Sequence, residues 1–332
     1  MINQIEFNFQ QQKLEQDKIL PPGNLVLAKL NIDPADIKSI KPRKKRRQYR
    51  AVINWLTKYK SKVDASNLEN VRGYLEAFYH LCEVEVWQKV SQLLSISLSL
   101  STNQEWHNDL GTWGYYQEQI ELYNQLLGKV DSTIDAFCCN NLGNAHRALG
   151  KYEEAIGYHQ QHFYLAEQND DFQGVENALQ NLGNVYMSLG DYGRSIEYHQ
   201  QSLIIAQEIK DRLGQGTILG NLGNNYYYLS EYQRAIDYHQ QSWSIFQEVG
   251  DRYGEGAALG NLGSVYLLLG NTNRAITYQQ KSLEIAREIQ DRRWEAQTLG
   301  NLGNIYFRQH KYDRAIEFYQ QDLAIAIANI EP

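Results

Sequence analysis

The stretch from Asn181 to Gly220 reads NLGNVYMSLGDYGRSIEYHQQSLIIAQEIKDRLGQGTILG, and NLGNNYYYLSEYQRAIDYHQQSWSIFQEVGDRYGEGAALG follows it in the same register. Asn-Leu-Gly recurs at Asn141, Asn181, Asn221, Asn261 and Asn301, forty residues apart, with no insertion or deletion between copies. A fixed period of this length marks a solenoid rather than a globular core. One copy cannot bury its own apolar face, so the copies are expected to stack.

Each copy divides into two helical stretches. Gly190 and Asp191 read as a helix-ending glycine followed by an N-cap residue, and Asp211 caps the start of the next unit. The spacing predicts helix A from about Asp171 to Leu189 and helix B from about Tyr192 to Ile209. Winding helix A at about 100° per residue places Leu179, Leu182, Val185, Tyr186 and Leu189 on one face, the expected core. Gly183 falls on another side. A mid-helix glycine costs about 1 kcal/mol relative to alanine, so its return as Gly143, Gly223, Gly263 and Gly303 predicts close approach of a neighbouring helix.

Asn177, Asn181, Asn184 and Ser188 share the remaining side. The pair recurs as Asn141 and Asn144, Asn221 and Asn224, and Asn301 and Asn304, whereas the fourth copy keeps Asn261 and has Ser264. Each amide offers a donor and an acceptor, which suits the backbone of an extended peptide. The other reading satisfies these amides with water or the next helix. One turn further along stand Ala148, Ser188, Tyr228, Leu268 and Arg308, beside Met187, Tyr227, Leu267 and Phe307. This describes an amide floor with an apolar, aromatic centre and a cation at one end. It predicts an extended or helical peptide with apolar anchors toward its middle and an acidic group near Arg308. The candidate peptide-binding residues are Asn141, Asn144, Asn181, Asn184, Asn221, Asn224, Tyr227, Tyr228, Asn261, Leu268, Asn301, Asn304 and Arg308.

Leu182-Gly183, Tyr186, the Gly190 to Tyr192 turn and the small residues Ala155, Ser195, Ala235, Ala275 and Ala315 together resemble tetratricopeptide repeats. The forty-residue length and the Leu-Gly-Asn triplet are similar to the Leu-Gly-Asn subclass found in polarity scaffolds and bacterial arrays. The resemblance implies an all-α fold, a right-handed α-solenoid of helix pairs whose concave groove is lined by helix A and binds peptides. Chaperone-binding members hold a C-terminal carboxylate with lysine and arginine beside the asparagine. The matching positions here are Gln180, Gly220, Gly260 and Gly300, so no such clamp is expected.

The 332 residues suffice for two domains or one long solenoid. Cys82, Cys138 and Cys139 are the only cysteines, and the adjacent pair lies in a helical run, which predicts reduced thiols and a cytoplasmic protein. No apolar run reaches the length of a membrane span, and MINQIEFNFQQQ lacks the features of a signal peptide. Residues 1–60 hold 13 Lys and Arg against 5 Asp and Glu, whereas the remainder holds 19 against 34. An acidic array behind a basic arm points to nucleic acid or to an acidic partner.

Residues 1–48 are read as that arm. An amphipathic stretch from Ile5 to Leu20 predicts a short helix, ended by Pro21, Pro22 and Gly23, with a further helical piece from Leu25 to Leu30. The cluster KPRKKRRQYR over residues 41–50 reads as a solvated linker or helix start, or else supplies Arg43, Lys44, Lys45, Arg46, Arg47 and Arg50 as candidate contacts to nucleic acid, an acidic partner or the protein's own array. Only Tyr49 interleaves with them, so no stacking platform for single strands is expected. Residues 49–100 predict helices, including Ser95 to Leu100 despite its alternating pattern. Residues 101–140 form a degenerate copy, with Leu110-Gly111 for the Leu-Gly pair and Tyr116, Ile120, Tyr123 and Leu127 for helix B. Five units follow over 141–332, at 141–180, 181–220, 221–260, 261–300 and 301–332.

Catalytic chemistry finds no support. His159, His199 and His239 recur at one position of helix B, with Gln279 and Tyr319 in the last two copies. Successive copies lie on the order of 10 Å apart, too far to share a metal, so these are packing histidines. No phosphate loop or dinucleotide fingerprint occurs, and no metal or cofactor is expected. Ile327-Ala328 replaces the polar pairs Gln247-Glu248 and Arg287-Glu288, which points either to packing of the C-terminal helix on another chain, such as a second copy, or to its contact with the array's own convex side. The function expected is a non-enzymatic scaffold or adaptor that holds a partner's peptide in its groove. The alternative is a nucleic-acid-associated regulator using residues 41–50.

Overall fold

The structure, a computed structural model, describes residues 21–62, 64–97 and 105–328. It divides into two compact units that meet between Leu165 and Ala166. The helix predicted over Ile5 to Leu20 lies outside the described residues.

The first unit runs through α1 (Gly23–Lys29), a 3₁₀ turn (Pro34–Ser39), α2 (Arg43–Lys58), α3 (Asn67–Asn70), α4 (Arg72–Cys82) and α5 (Trp87–Leu94). It continues with α6 (Trp106–Thr112), α7 (Tyr116–Leu126) and α8 (Ser132–Ala148), and α9 (Tyr152–Gln168) crosses the division. The break expected at residue 48 therefore falls inside an element, because the basic cluster forms the first two turns of α2. Nor do Ser95 to Ser97 extend a helix, and the rest of the stretch expected to be helical, to Leu100, lies outside the described residues. Helix α5 ends at Leu94, and Ser97 pairs with Glu105 in an isolated antiparallel bridge.

This unit has a continuous core of large side chains, with Phe78, Trp106 and Tyr123 fully buried. Their polar atoms are answered. The Trp106 indole donates to the Leu93 carbonyl at 2.8 Å, while His107 pairs with the Tyr123 hydroxyl at 2.7 Å and the Glu105 carboxylate at 2.9 Å.

The second unit is a succession of helical hairpins. They are α10 (Phe172–Ser188) with α11 (Tyr192–Glu208), α12 (Arg212–Tyr228) with α13 (Tyr232–Val249), α14 (Arg252–Leu268) with α15 (Thr272–Glu288), and α16 (Arg292–Arg308) with α17 (Tyr312–Ala328). Each hairpin packs on the next, as an α-solenoid requires. Boundaries drawn at Asn-Leu-Gly fall within helix A, so the hairpins are out of phase with the units marked at 141, 181, 221, 261 and 301, and α16 with α17 is a complete hairpin.

Local chemistry sets the ends of these helices. The carboxylates of Asp171, Asp191, Asp211 and Asp291 each accept from a backbone N–H three residues on. The turn after each helix A holds one left-handed residue, at Gly150, Gly190, Ser230, Gly270 and His310. Val185, Leu182, Leu179 and Tyr186 are buried as the helical winding predicts. Leu189 is not. It lies one residue beyond the last turn of α10, where the chain leaves the core, and is exposed like Leu229 and Leu269.

The mid-helix glycines have a specific use. A Cβ on Gly183 would stand 2.6 Å from the His199 ring, and one on Gly223 equally close to the His239 ring. Gly143 faces His159, Gly263 faces Gln279 and Gly303 faces Tyr319 in the same way. Helix A thus lacks a side chain where helix B of the same hairpin inserts one, and the expected close approach is that of a side chain.

Candidate functional site

The predicted amide row lies along α10, α12, α14 and α16 in the second unit, apart from Asn141 and Asn144, which sit on α8 in the first. Asn141 donates to the Phe137 carbonyl of its own helix at 2.9 Å. Asn181, Asn184, Asn221, Asn224, Asn261 and Asn301 are half-buried, and Asn304 is exposed. Some of their capacity is used within the protein. Asn221 donates to the Asn184 side-chain oxygen at 3.2 Å, and the Tyr319 hydroxyl donates to that of Asn304 at 2.8 Å. A carboxamide has two N–H donors and two acceptor lone pairs, so each of these contacts leaves further sites on the same group.

Two adjoining clefts open on this lining. One, of about 490 Å³, is walled by Tyr227, Leu267, Leu268, Asn301, Asn304, Phe307 and Arg308 together with Ser264 and Gln279. The other, of about 390 Å³, is walled by Tyr253, Asn261, Arg293, Trp294, Gln297 and Asn301, again with Ser264 and Gln279. The first cleft brings together Tyr227, Leu268, Asn301, Asn304 and Arg308, five of the residues expected from spacing. Tyr228 lies outside it, stacked on Tyr192 with ring centres 5.4 Å apart and meeting Tyr227 edge-on. Burial pushes the Tyr227 hydroxyl above its ordinary pKa, so it remains a neutral donor.

Tyr253, Trp294, Arg293 and Gln297 were not among the expected site residues. Their signal was a break in the repeat: Trp294 stands where Gly174, Gly214 and Gly254 stand in the three preceding hairpins. Its ring fills the space over Gly256, where a Cβ would lie 2.1 Å from the indole, and meets Tyr253 at 5.4 Å between ring centres.

The basic residues Arg43, Lys44, Lys45, Arg46, Arg47 and Arg50 belong to the first unit. Arg46 donates to the Lys38 carbonyl at 3.2 Å. None of the ion pairs among the described residues engages the cluster. At the other end, α17 exposes Ile316, Leu323 and Ile327. Ile236 and Leu283, which occupy matching positions in interior hairpins, are buried there. Among the described residues no group of His, Cys, Asp and Glu could hold a metal, and no helix is long and apolar enough to cross a membrane.

No curated protein sequence matches the chain. Among solved structures, BtubC (BKLC) from P. vanneervenii is similar with a TM-score of 0.57 at 18% identity, over 66% of this chain and 91% of that one. A Rap protein in complex with Competence and Sporulation Factor gives a TM-score of 0.55 at 13% identity, over 92% and 99%. A STAND protein with a tetratricopeptide repeat sensor from Pyrococcus horikoshii gives 0.57 at 15%, over 89% and 51%. At these identities the likeness is one of fold. The tetratricopeptide repeat family matches residues 139–171, 174–248 and 254–328, together more than half of the chain. With the paired helices and their forty-residue period, this places the chain in the tetratricopeptide repeat family.

Proposed function

We propose that the protein is a non-catalytic interaction scaffold whose second unit holds an extended segment of a partner against α12, α14 and α16. Tetratricopeptide repeats are generally non-catalytic protein-interaction modules. The observation that carries the reading is the cleft uniting Tyr227, Leu268, Asn301, Asn304 and Arg308, because it combines free amide capacity, exposed apolar side chains and a cation in one concavity. Among the solved structures similar in fold is a Rap protein complexed with Competence and Sporulation Factor, which supports a ligand-holding use. The test is to select binders from a displayed random peptide library and titrate them by calorimetry. Asn301→Ala with Asn304→Ala is expected to weaken a groove-bound peptide about tenfold, the loss of one or two neutral hydrogen bonds, with unchanged helical content. Unchanged affinity for every selected peptide removes the reading.

A second reading follows from the six cations of α2. They crowd a helix N-terminus, which already carries partial positive charge and has no acidic residue in its first turn. This concentrates positive potential suited to a nucleic-acid backbone. Binding of duplex DNA that falls steeply with salt, and is lost on Lys44→Glu with Arg47→Glu, supports it. Self-association through α17 is a separate proposal, checked by light scattering of wild type against Leu323→Glu.

A further inference from the structure

We propose that the α14–α15 hairpin carries a recognition pocket for a primary carboxamide, the side chain of glutamine or asparagine in the bound segment, with Gln279 as its receptor. The proposal deepens the groove reading and rests on it.

Three preceding copies place His159, His199 and His239 over their glycines, whereas this one places Gln279 over Gly263. Gln279 is 2% exposed and lines both clefts. Its Nε2 donates to the Gly260 carbonyl at 3.0 Å. A carbonyl only accepts, so the nitrogen has to face Gly260 and the oxygen has to face away. That Oε1 is buried and has no donor. A second orphan lies three residues along the same helix. The Ser282 hydroxyl is buried without a partner, although Ser202 and Ser242 at the matching positions donate to the carbonyls of Glu176 and Gly216. A Cβ on Gly260 would stand 3.3 Å from the Ser282 oxygen, so both residues that carry an orphan, Gln279 through its Nε2 and Ser282 through its hydroxyl, meet one glycine of the cleft wall.

The same hairpin is the one that lacks its second asparagine. Ser264 stands where Asn184, Asn224 and Asn304 stand, and its hydroxyl turns back onto the Gly260 carbonyl at 3.1 Å. The smaller side chain leaves Gln279 in the lining of both clefts. Two departures from the repeat therefore act together: one puts an unanswered acceptor oxygen where the preceding copies bury histidine rings that also have unanswered nitrogens, and the other leaves the residue that bears it in the lining of the clefts.

Gln279 offers an acceptor oxygen and the second N–H of Nε2. A primary carboxamide presents a donor and an acceptor side by side and answers both. A trans backbone amide points its N–H and C=O in opposite directions and answers one. An ammonium group only donates, so it answers the Gln279 oxygen and leaves the N–H, while the carboxylate lining this cleft, Asp291, caps the Trp294 N–H at 2.9 Å. The rest of the polar wall, Asn261, Gln297, Thr298 and Asn301, is neutral apart from the cation of Arg293.

The test has two arms. In the first, the Gln279 side-chain amide is followed by NMR during titration with propionamide, N,N-dimethylpropionamide and propionate. A saturable shift is expected with propionamide alone, and its loss in Ser264→Asn. No shift, or equal shifts from the dimethylated compound that has no N–H, overturns the pocket. In the second arm, peptides are selected on wild type and on Gln279→His. Both variants restore residues found in other copies, so they are expected to fold, and circular dichroism checks this. Wild type is expected to enrich one Gln or Asn position, and replacing it with Leu to cost roughly fivefold in affinity, an effect absent in Gln279→His. Peptides that depend on Asn301 and Asn304 but show no carboxamide preference overturn the pocket and leave the groove. A propionamide shift without any groove-dependent peptide upholds the pocket and overturns the groove.

Discussion

The two units bury their side chains by different means. The first joins Phe78, Trp106 and Tyr123 into one core held by specific polar contacts, such as those of His107 with Tyr123 and Glu105. The second repeats one small device, a glycine in helix A receiving a side chain from helix B, and its apolar clusters are correspondingly small. A core of the first kind concentrates its stability in a few large residues. The second kind spreads it over many equivalent contacts, each answerable to its own hairpin and its neighbours.

The sharpest way to break this comparison is to truncate the first core. Trp106→Ala removes a fully buried ring and a hydrogen bond and is expected to cost about 5 kcal/mol, read by chemical denaturation of the first unit's signal. A loss below about 2 kcal/mol would show that the core is no more concentrated than the repeats.

Acid should strain the second unit at the His199 and His239 positions. Burial lowers both imidazoles to about 4, below the ordinary value near 6.5. The unfolded chain therefore takes up protons first as pH falls. Stability is full above about 6.5 and is lost progressively down to the folded-state value. By pH 5 the two together are expected to cost about 4 kcal/mol. His199→Gln with His239→Gln should flatten the profile over that window, since Gln279 already shows that glutamine fits the position; parallel profiles would refute the assignment.

Glycine substitutions sharpen the contrast further. Gly223→Ala drives a methyl into the His239 ring and is expected to destabilise by about 2 kcal/mol. Gly157→Ala, in exposed helix with no atom within 4 Å of the added carbon, is expected to stabilise by about 0.5–1 kcal/mol. Melting temperatures moving in the same direction would contradict the account. A second small gain is expected at a turn. Ser230 holds a left-handed conformation with φ of 61° where three other hairpins have glycine, and Ser230→Gly is expected to stabilise by roughly 1 kcal/mol.

Much of this was legible in the sequence for a physical reason. A feature present five times, such as Asn-Leu-Gly or the aspartate caps, reports a constraint that every hairpin feels, so period and helix phase follow from it. Ser95 to Leu100 belongs to no repeat, and the bridge at Ser97 depends on Glu105, eight residues on. The candidate site divides along the same line. The asparagine positions were readable because they recur, whereas Trp294 and Gln279 were not, because a reading weighted toward what repeats treats each single departure as noise. What those departures create, a filled space over Gly256 and an unanswered oxygen, exists only when two helices meet.

The five glycines that face helix B stay the same, while the groups above them are histidine three times, then glutamine, then tyrosine. A mount that is constant and an insert that varies make a socket. Because the socket already accepts three chemistries without a change in helix length or turn, this position is where such an array can be rewritten one hairpin at a time, altering what a given stretch of its surface reads while the stacking of the whole stays as it was.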